Sequence, residues 1–211
     1  MPSETLDAGM PVVFLHAFPL NASMWEAQLE AVGHRPTLAP HFPGFGDRPP
    51  EEADLDAFAR SALAEMDAAG MERAIVVGLS MGGYVAFRLH ALAPDRVAGL
   101  VLADTRSGAD DEAGRRKRED QAARVRKDGV GWLPDALLPA LLGETTRRER
   151  PEVVARVRPI MAAADPEGVA RALEGMRDRP DSTPALERIG CPTLVLVGEE
   201  DTLTPPDEAR T

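Results

Sequence analysis

The pentapeptide Gly78-Leu79-Ser80-Met81-Gly82, directly after the apolar run Ala74-Ile75-Val76-Val77, constrains the fold of this chain more than any other segment. The β-branched run reads as a buried strand, and the helix-like stretch Tyr84 to Ala93, closed by Pro94, follows it. Joining them over so few residues demands a sharp turn in which backbone lies close to backbone. Glycine at 78 and 82 leaves that room, and Gly83 lets the next helix pack close. Such a turn lifts Ser80 above the end of the sheet. The bland alternative is a glycine-rich strand–helix turn in which the serine does nothing.

Three further apolar runs match the first: Val12 to Leu15, Val97 to Leu102 and Thr193 to Val197. Each is bounded by Gly, Pro or charge, as fully buried parallel strands are. A weaker one, Pro36-Thr37-Leu38-Ala39-Pro40, has proline at both ends and suits a place near a sheet edge. Helical segments alternate with these strands. Asn21 to Val32 opens on polar Asn21 and Ser23 and stops at Gly33. Asp54 to Ala69 carries Leu55, Phe58, Ala62, Leu63 and Met66 at three-to-four spacing and closes at Gly70. Alternation of this kind implies βαβ crossovers, hence a parallel sheet of about five strands with helices on its faces.

Between Ser107 and about Arg188 the strand signal disappears, and charged helical sequence punctuated by seven prolines from Pro134 to Pro184 replaces it. The expected division is therefore a core over 1–106, a helical cap or lid insertion over 107–188 and the core again over 189–211. The apolar stretch Trp132 to Leu142 would pack on the core or line a pocket.

A net charge of −11 repels nucleic acid and anionic membrane. The basic cluster Arg115-Arg116-Lys117-Arg118 sits between acidic Asp110-Asp111-Glu112 and Glu119-Asp120, so a solvated, salt-bridged helix face is expected rather than a phosphate site. The single cysteine, Cys191, reads as a small buried hydrophobe. No apolar run approaches the roughly 18 residues of a membrane span. Met1-Pro2-Ser3-Glu4 lacks a secretory pattern, which makes a cytoplasmic protein the expectation. A homo-oligomer is left open.

A serine hydroxyl attacks a carbonyl only when a base takes its proton and preorganised donors meet the oxyanion. One donor would be the N–H of Met81, immediately after the serine. The second should come from the loop His16-Ala17-Phe18-Pro19-Leu20. Together with Pro43-Gly44-Phe45-Gly46 and Gly198-Glu199-Glu200-Asp201, these motifs occur in the order seen in the α/β-hydrolase superfamily. From about Pro11 to Ala209 the chain resembles the branch containing 3-oxoadipate enol-lactonases and related small carboxylesterases.

The resemblance implies an α/β-hydrolase fold, Ser80 as nucleophile and Asp201 as the acid that orients an imidazole. It makes Phe18 the second oxyanion donor and calls for no metal or organic cofactor. It also points to His16 and Trp25 as candidate pocket residues, against a bracing role for His16 and a core or interface role for Trp25. Ala17 stands where many relatives have glycine, and His41 where many have aspartate. Asp104, after Val101-Leu102-Ala103, is the rival acid.

In this fold the order is serine, acid, histidine, yet no histidine follows Asp201. His16, His34, His41 and His90 all precede it. His41 follows a strand expected on the far side of the nucleophile strand from Asp201, which makes it a poor shared base. The triad histidine is thus absent from these residues, and the expectation is a truncated form of a longer serine hydrolase of a small ester or lactone. A catalytically inactive binding domain is the reading from another class. The same scaffold also serves C–C hydrolases, perhydrolases, haloperoxidases and acyltransferases. Dehalogenase chemistry is disfavoured, because it uses aspartate where Ser80 stands.

Overall fold

Five apolar stretches form one parallel sheet in a computed structural model that describes residues 9–33, 35–51 and 54–210. His34 and the stretch Met1 to Glu4 lie outside the described residues. In chain order the strands are β1 (Val12–Leu15), β2 (Thr37–Leu38), β3 (Ala74–Leu79), β4 (Val97–Ala103) and β5 (Thr193–Leu196). Their spatial order is β2-β1-β3-β4-β5, and every pairing is parallel. The proline-flanked β2 is an edge strand, as its sequence suggested.

Register brings the strand ends level. Leu15 of β1 and Leu102 of β4 both pair with Gly78, and Ala103 pairs with Leu196 of β5. The loops that follow β1, β3, β4 and β5 therefore leave the carboxyl edge of the sheet side by side, where open α/β sheets place their ligands.

Helices cover both faces. A 3-10 turn over Ala22–Trp25 leads into α1 (Glu26–Val32), with the Asn21 side chain accepting from the Ser23 N–H at 3.0 Å. On the opposite face lie α2 (Leu55–Ala68), capped by Asp54, and α3 (Met81–Leu92). Residues alternate accordingly along β1. Val13 and Leu15 enter the main core with Phe58 and Val85, whereas Val12 and Phe14 pack in a second cluster with Trp25.

Between β4 and β5 run α4 (Glu112–Asp128), α5 (Leu133–Leu141), α6 (Glu144–Glu149), α7 (Pro151–Ala162) and α8 (Pro166–Arg177). Prolines that punctuate the sequence sit mainly at helix starts, where no intrahelical N–H is lost; Pro139 and Pro159 lie inside α5 and α7. Arg126 of α4 ties α8 through Glu167 and Glu174 at 3.0 and 2.6 Å. Val125, Leu138, Met161 and Leu173 of these helices join the core beneath the sheet, so the insertion and the sheet share one apolar interior. Among the described residues no helix is long and apolar enough to cross a membrane.

Two expectations change. The run Thr193 to Val197 reads as a buried strand, yet β5 is exposed along its length, with Leu194 at 52%, Val195 at 45% and Leu196 at 48%. β5 is the outer strand beside β4, and none of its residues joins either core cluster; composition does not show whether a strand's faces are covered. Cys191 is half-buried at the margin of the main core rather than inside it.

Candidate active site

Ser80 sits where β3 turns into α3. Its backbone is left-handed, with φ 53°, a conformation that costs a non-glycine residue energy and is held by its surroundings. Four hydrogen bonds supply that hold, the longest of them from the Tyr84 N–H to the Ser80 carbonyl at 3.3 Å. The Ser80 N–H donates to the Ala103 carbonyl at 2.9 Å, and the Ser80 carbonyl accepts from the Gly83 N–H and the Thr105 hydroxyl, both at 2.9 Å. The glycines act by absence. A Cβ on Gly78 would lie 2.4 Å from the Gly82 oxygen, and one on Gly82 would lie 2.1 Å from the Leu15 oxygen. Gly83 fits closely against Thr105 for the same reason.

Met81 and Phe18 are the residues whose N–H groups were expected to meet an oxyanion. Met81 is the first residue of α3, so its N–H has no intrahelical acceptor and points along the positive end of the helix. Phe18, in the loop after β1, lines a cavity of about 230 Å³ together with Ser80. Among the described residues no acceptor takes the Phe18 N–H.

His16 anchors that loop from below. It is fully buried, its Nε2 accepts from the Phe42 N–H at 3.1 Å, and its Nδ1 lies 3.1 Å from the Ala17 carbonyl. The rings of Phe42 and Phe45 enclose it at 4.4 and 5.2 Å. Burial drives its pKa down to about 3 despite the Ala17 carbonyl, so the imidazole is neutral and its two nitrogens are committed to the backbone. His16 is a brace between the loops after β1 and β2, and it lines neither cavity at Ser80. Trp25 departs from the pocket expectation more completely. It packs at 5.2 Å against Phe14 in the second cluster, on the other face of the sheet from α3.

A second cavity, of about 600 Å³, brings Ser80, Asp104 and Asp201 together. Asp201 is fixed by its own loop: Oδ1 accepts from the N–H groups of Leu203 and Thr204 at 2.7 and 2.9 Å, and Oδ2 from the Thr204 hydroxyl at 2.7 Å. Asp104 also has a left-handed backbone, φ 41°, and its Oδ1 accepts from the Gly198 N–H at 2.8 Å. Burial, with the nearby Asp201 charge, raises the Asp104 pKa although the Gly198 bond opposes it. Both candidate acids thus reach the serine's cavity.

The histidines do not. His41 follows the β2 edge and takes the Ala22 N–H at 3.2 Å, while Asp201 follows β5 at the opposite edge. His90 lies on α3, its pKa lowered by burial. Among the described residues no histidine hydrogen-bonds to Ser80 or Asp201. No group of three or more His, Cys, Asp or Glu side chains among them is placed to hold a metal ion.

Several contributors were not visible in the sequence. Thr105 braces the serine turn, and Glu200 accepts from the Thr145 N–H at 3.0 Å and from its hydroxyl, which docks α6 beside the Asp201 loop. Tyr84, Arg106 and Lys117 line the smaller cavity. Glu200, Tyr84 and Lys117 lay in segments the sequence had marked, but for other reasons.

Comparison with known proteins agrees with this fold. Residues 12–211 match the model of an alpha/beta hydrolase family. An AB hydrolase superfamily protein, YisY of Bacillus subtilis, is 30% identical across 98% of the chain and 80% of that protein. A thermophilic esterase from Thermogutta terrifontis superposes with a TM-score of 0.92 at 41% identity, over 96% of this chain and 76% of that one. The enol-lactonase of Burkholderia xenovorans gives 0.86 at 27% identity, over 96% and 77% of the two chains.

Proposed function

This chain belongs to the alpha/beta hydrolase family, and from that premise we propose that it is a serine hydrolase cleaving a small carboxylic ester or lactone through an acyl-Ser80 intermediate. The observation that carries the reading is Ser80, presented with φ 53° at the head of α3 on the wall of a cavity it shares with Asp201. In this mechanism Ser80 Oγ bonds to the carbonyl carbon as its proton passes to an imidazole held by Asp201, which then gives that proton to the departing alkoxide. The N–H groups of Met81 and Phe18 meet the oxyanion, the bond to the leaving alkoxide breaks, and water then releases the acid. Asp201 fixes the tautomer of an imidazole brought to Ser80 and stabilises its charged form. Helices α5 and α6, whose Leu141 and Thr145 line the larger cavity, act as the lid. Relatives named for ester and lactone hydrolysis support this substrate class.

A fluorophosphonate probe tests it. The purified protein should label at Ser80, and Ser80→Ala should remove both the label and any turnover of p-nitrophenyl acetate. An unlabelled Ser80 in folded protein overturns the reading. One observation favours a second one, binding without turnover: none of His16, His41 and His90 approaches Ser80. Ligand binding with no ester turnover would select it.

A further inference from the structure

The apolar stretch Trp132 to Leu142 was expected to pack on the core or to line a pocket, and it does both. Leu133 and Leu138 are buried in the main core, whereas Trp132, Ala136, Leu137 and Ala140 line a groove of about 1010 Å³ between α4 and α5. Leu203, from the loop that carries Asp201, lines the groove as well and is 41% exposed. The groove adjoins the serine site: Lys117, Gln121, Leu137 and Leu203 line both it and the cavity of about 230 Å³ that Ser80 shares with Phe18.

Charge along the groove is balanced. Asp111, Glu112 and Asp120 border it on the acidic side of the account, and Arg116, Lys117 and Arg124 on the basic side. Part of the basic cluster on α4 is the salt-bridged face expected of it, since Arg116 pairs with Glu112 at 2.7 Å. The Arg124 guanidinium lies over the Trp132 ring at 3.9 Å and holds the indole in place. A charged ligand would lose hydration here without meeting a net opposite charge, so the groove suits a neutral apolar group. Reach is set by α5, whose nine residues extend about 13 Å, with Leu141 beside Ser80 and Trp132 at the far end.

Resting on the hydrolase reading, we propose that the groove between α4 and α5 is a subsite for the far end of the acyl chain, and that Trp132 and Leu203 select esters whose chain ends in a neutral aromatic ring. The leaving alkoxide must take its proton on the Asp201 side, in the cavity of about 600 Å³. The acyl chain therefore runs the other way, past Phe18 and through the smaller cavity. That volume of about 230 Å³ equals about seven or eight water-sized groups, enough for a slim chain between Leu137 and Leu141. The wider groove beyond it takes the ring, which packs on Leu203 and Trp132 and leaves water.

Magnetic resonance of the Ser80→Ala protein, which consumes no ester, tests the inference through its two tryptophans, labelled with nitrogen-15. The indole N–H groups of Trp25 and Trp132 are both buried without an acceptor, so each resonance reports what packs around its ring. Ethyl 6-phenylhexanoate should shift the Trp132 signal and leave that of Trp25, packed on Phe14, in place. Trp132→Phe removes one signal and assigns the pair. The ring-bearing ester should bind at least tenfold tighter than ethyl hexanoate, and added salt should not weaken that preference. Ala136→Phe, on an exposed stretch of α5, should fill the groove and bring the ring-bearing ester down to the affinity of ethyl hexanoate. Equal binding of the two esters, an unmoved Trp132 signal or a preference that survives Ala136→Phe overturns the inference. Turnover of p-nitrophenyl acetate, whose acyl group is too short to reach the groove, judges the hydrolase reading separately. Turnover without ring preference removes only the subsite, whereas ring preference without turnover leaves the subsite standing.

Discussion

β3 and β5 are both short aliphatic strands in one parallel sheet, and they live in opposite surroundings. β3 has β1 and β4 as neighbours, and helices cover both its faces: Val76 is fully buried in the main core, while Ile75 and Val77 pack with Trp25. β5 has β4 alone, and its three aliphatic side chains Leu194, Val195 and Leu196 are about half exposed. The strained serine turn stands on the buried strand, and the acid loop stands on the exposed one. Strain at Ser80 is tolerable because β1, β4 and α3 hold the turn from three sides. Asp201 needs no such frame, since its carboxylate is fixed by hydrogen bonds within its own loop. The two sides of the cavity that Ser80 and Asp201 line are therefore stabilised by different means, by packing on one side and by local hydrogen bonding on the other.

The largest way to break the contrast is at Gly82. A methyl group there meets the Leu15 carbonyl carbon and oxygen, which are backbone and cannot move aside. Gly82→Ala should cost about 3 kcal/mol or more in urea unfolding and abolish probe labelling of Ser80.

Next in size is acid. His16 has its pKa lowered to about 3 in the folded protein, against about 6.5 when unfolded, so the unfolded state binds the extra proton between those values. Stability is then full above pH 6.5 and falls as pH drops toward 3. The loss between pH 7 and pH 5 should be about 2 kcal/mol at most, read from urea midpoints. His16→Asn, though less stable throughout, should show a flatter curve over that interval. An unchanged slope would remove His16 as the cause.

The smallest effect sharpens the comparison directly. Val76→Ala in β3 should cost about 2 kcal/mol, and Val195→Ala in β5 under about 0.5 kcal/mol. Equal costs would mean that β5 is covered in solution and that the two strands are not in different environments. Leu194→Lys should leave stability nearly unchanged and raise the concentration at which the protein aggregates, because a charge blunts an open edge.

Much of the site was legible residue by residue. Gly78, Ser80 and Gly82 announce a turn whose geometry leaves no room for side chains, and local geometry is what a contiguous motif encodes. Phe18, Asp104 and Asp201 could be placed because each follows a strand whose apolar run is unmistakable, and register does the rest. The expectation for Trp25 failed where the face of the sheet mattered. Its spacing identifies an aromatic near the first helix, and only packing shows that it meets Phe14 on the side away from α3. Arg106 carried no signal, since a cation in a loop looks like solvated surface, and Lys117 stood in a basic cluster that read as a salt-bridged helix face.

The sequence by itself determined the parallel α/β sheet, the order of its elements, the serine turn and the family to which the chain belongs. The sheet, the element order and the turn follow from periodicity and from short-range steric limits, which neighbouring residues settle among themselves; the family follows from motifs the chain shares with known hydrolases. Tertiary structure alone decided that β5 is exposed, that Asp104 and Asp201 share the cavity of Ser80, and that His16 is a neutral brace. It alone decided that one carboxylate, Asp110, is shared between Arg118 and Arg179. Burial, charge balance and the meeting of distant loops depend on which surfaces come together, and that is a property of the packed chain.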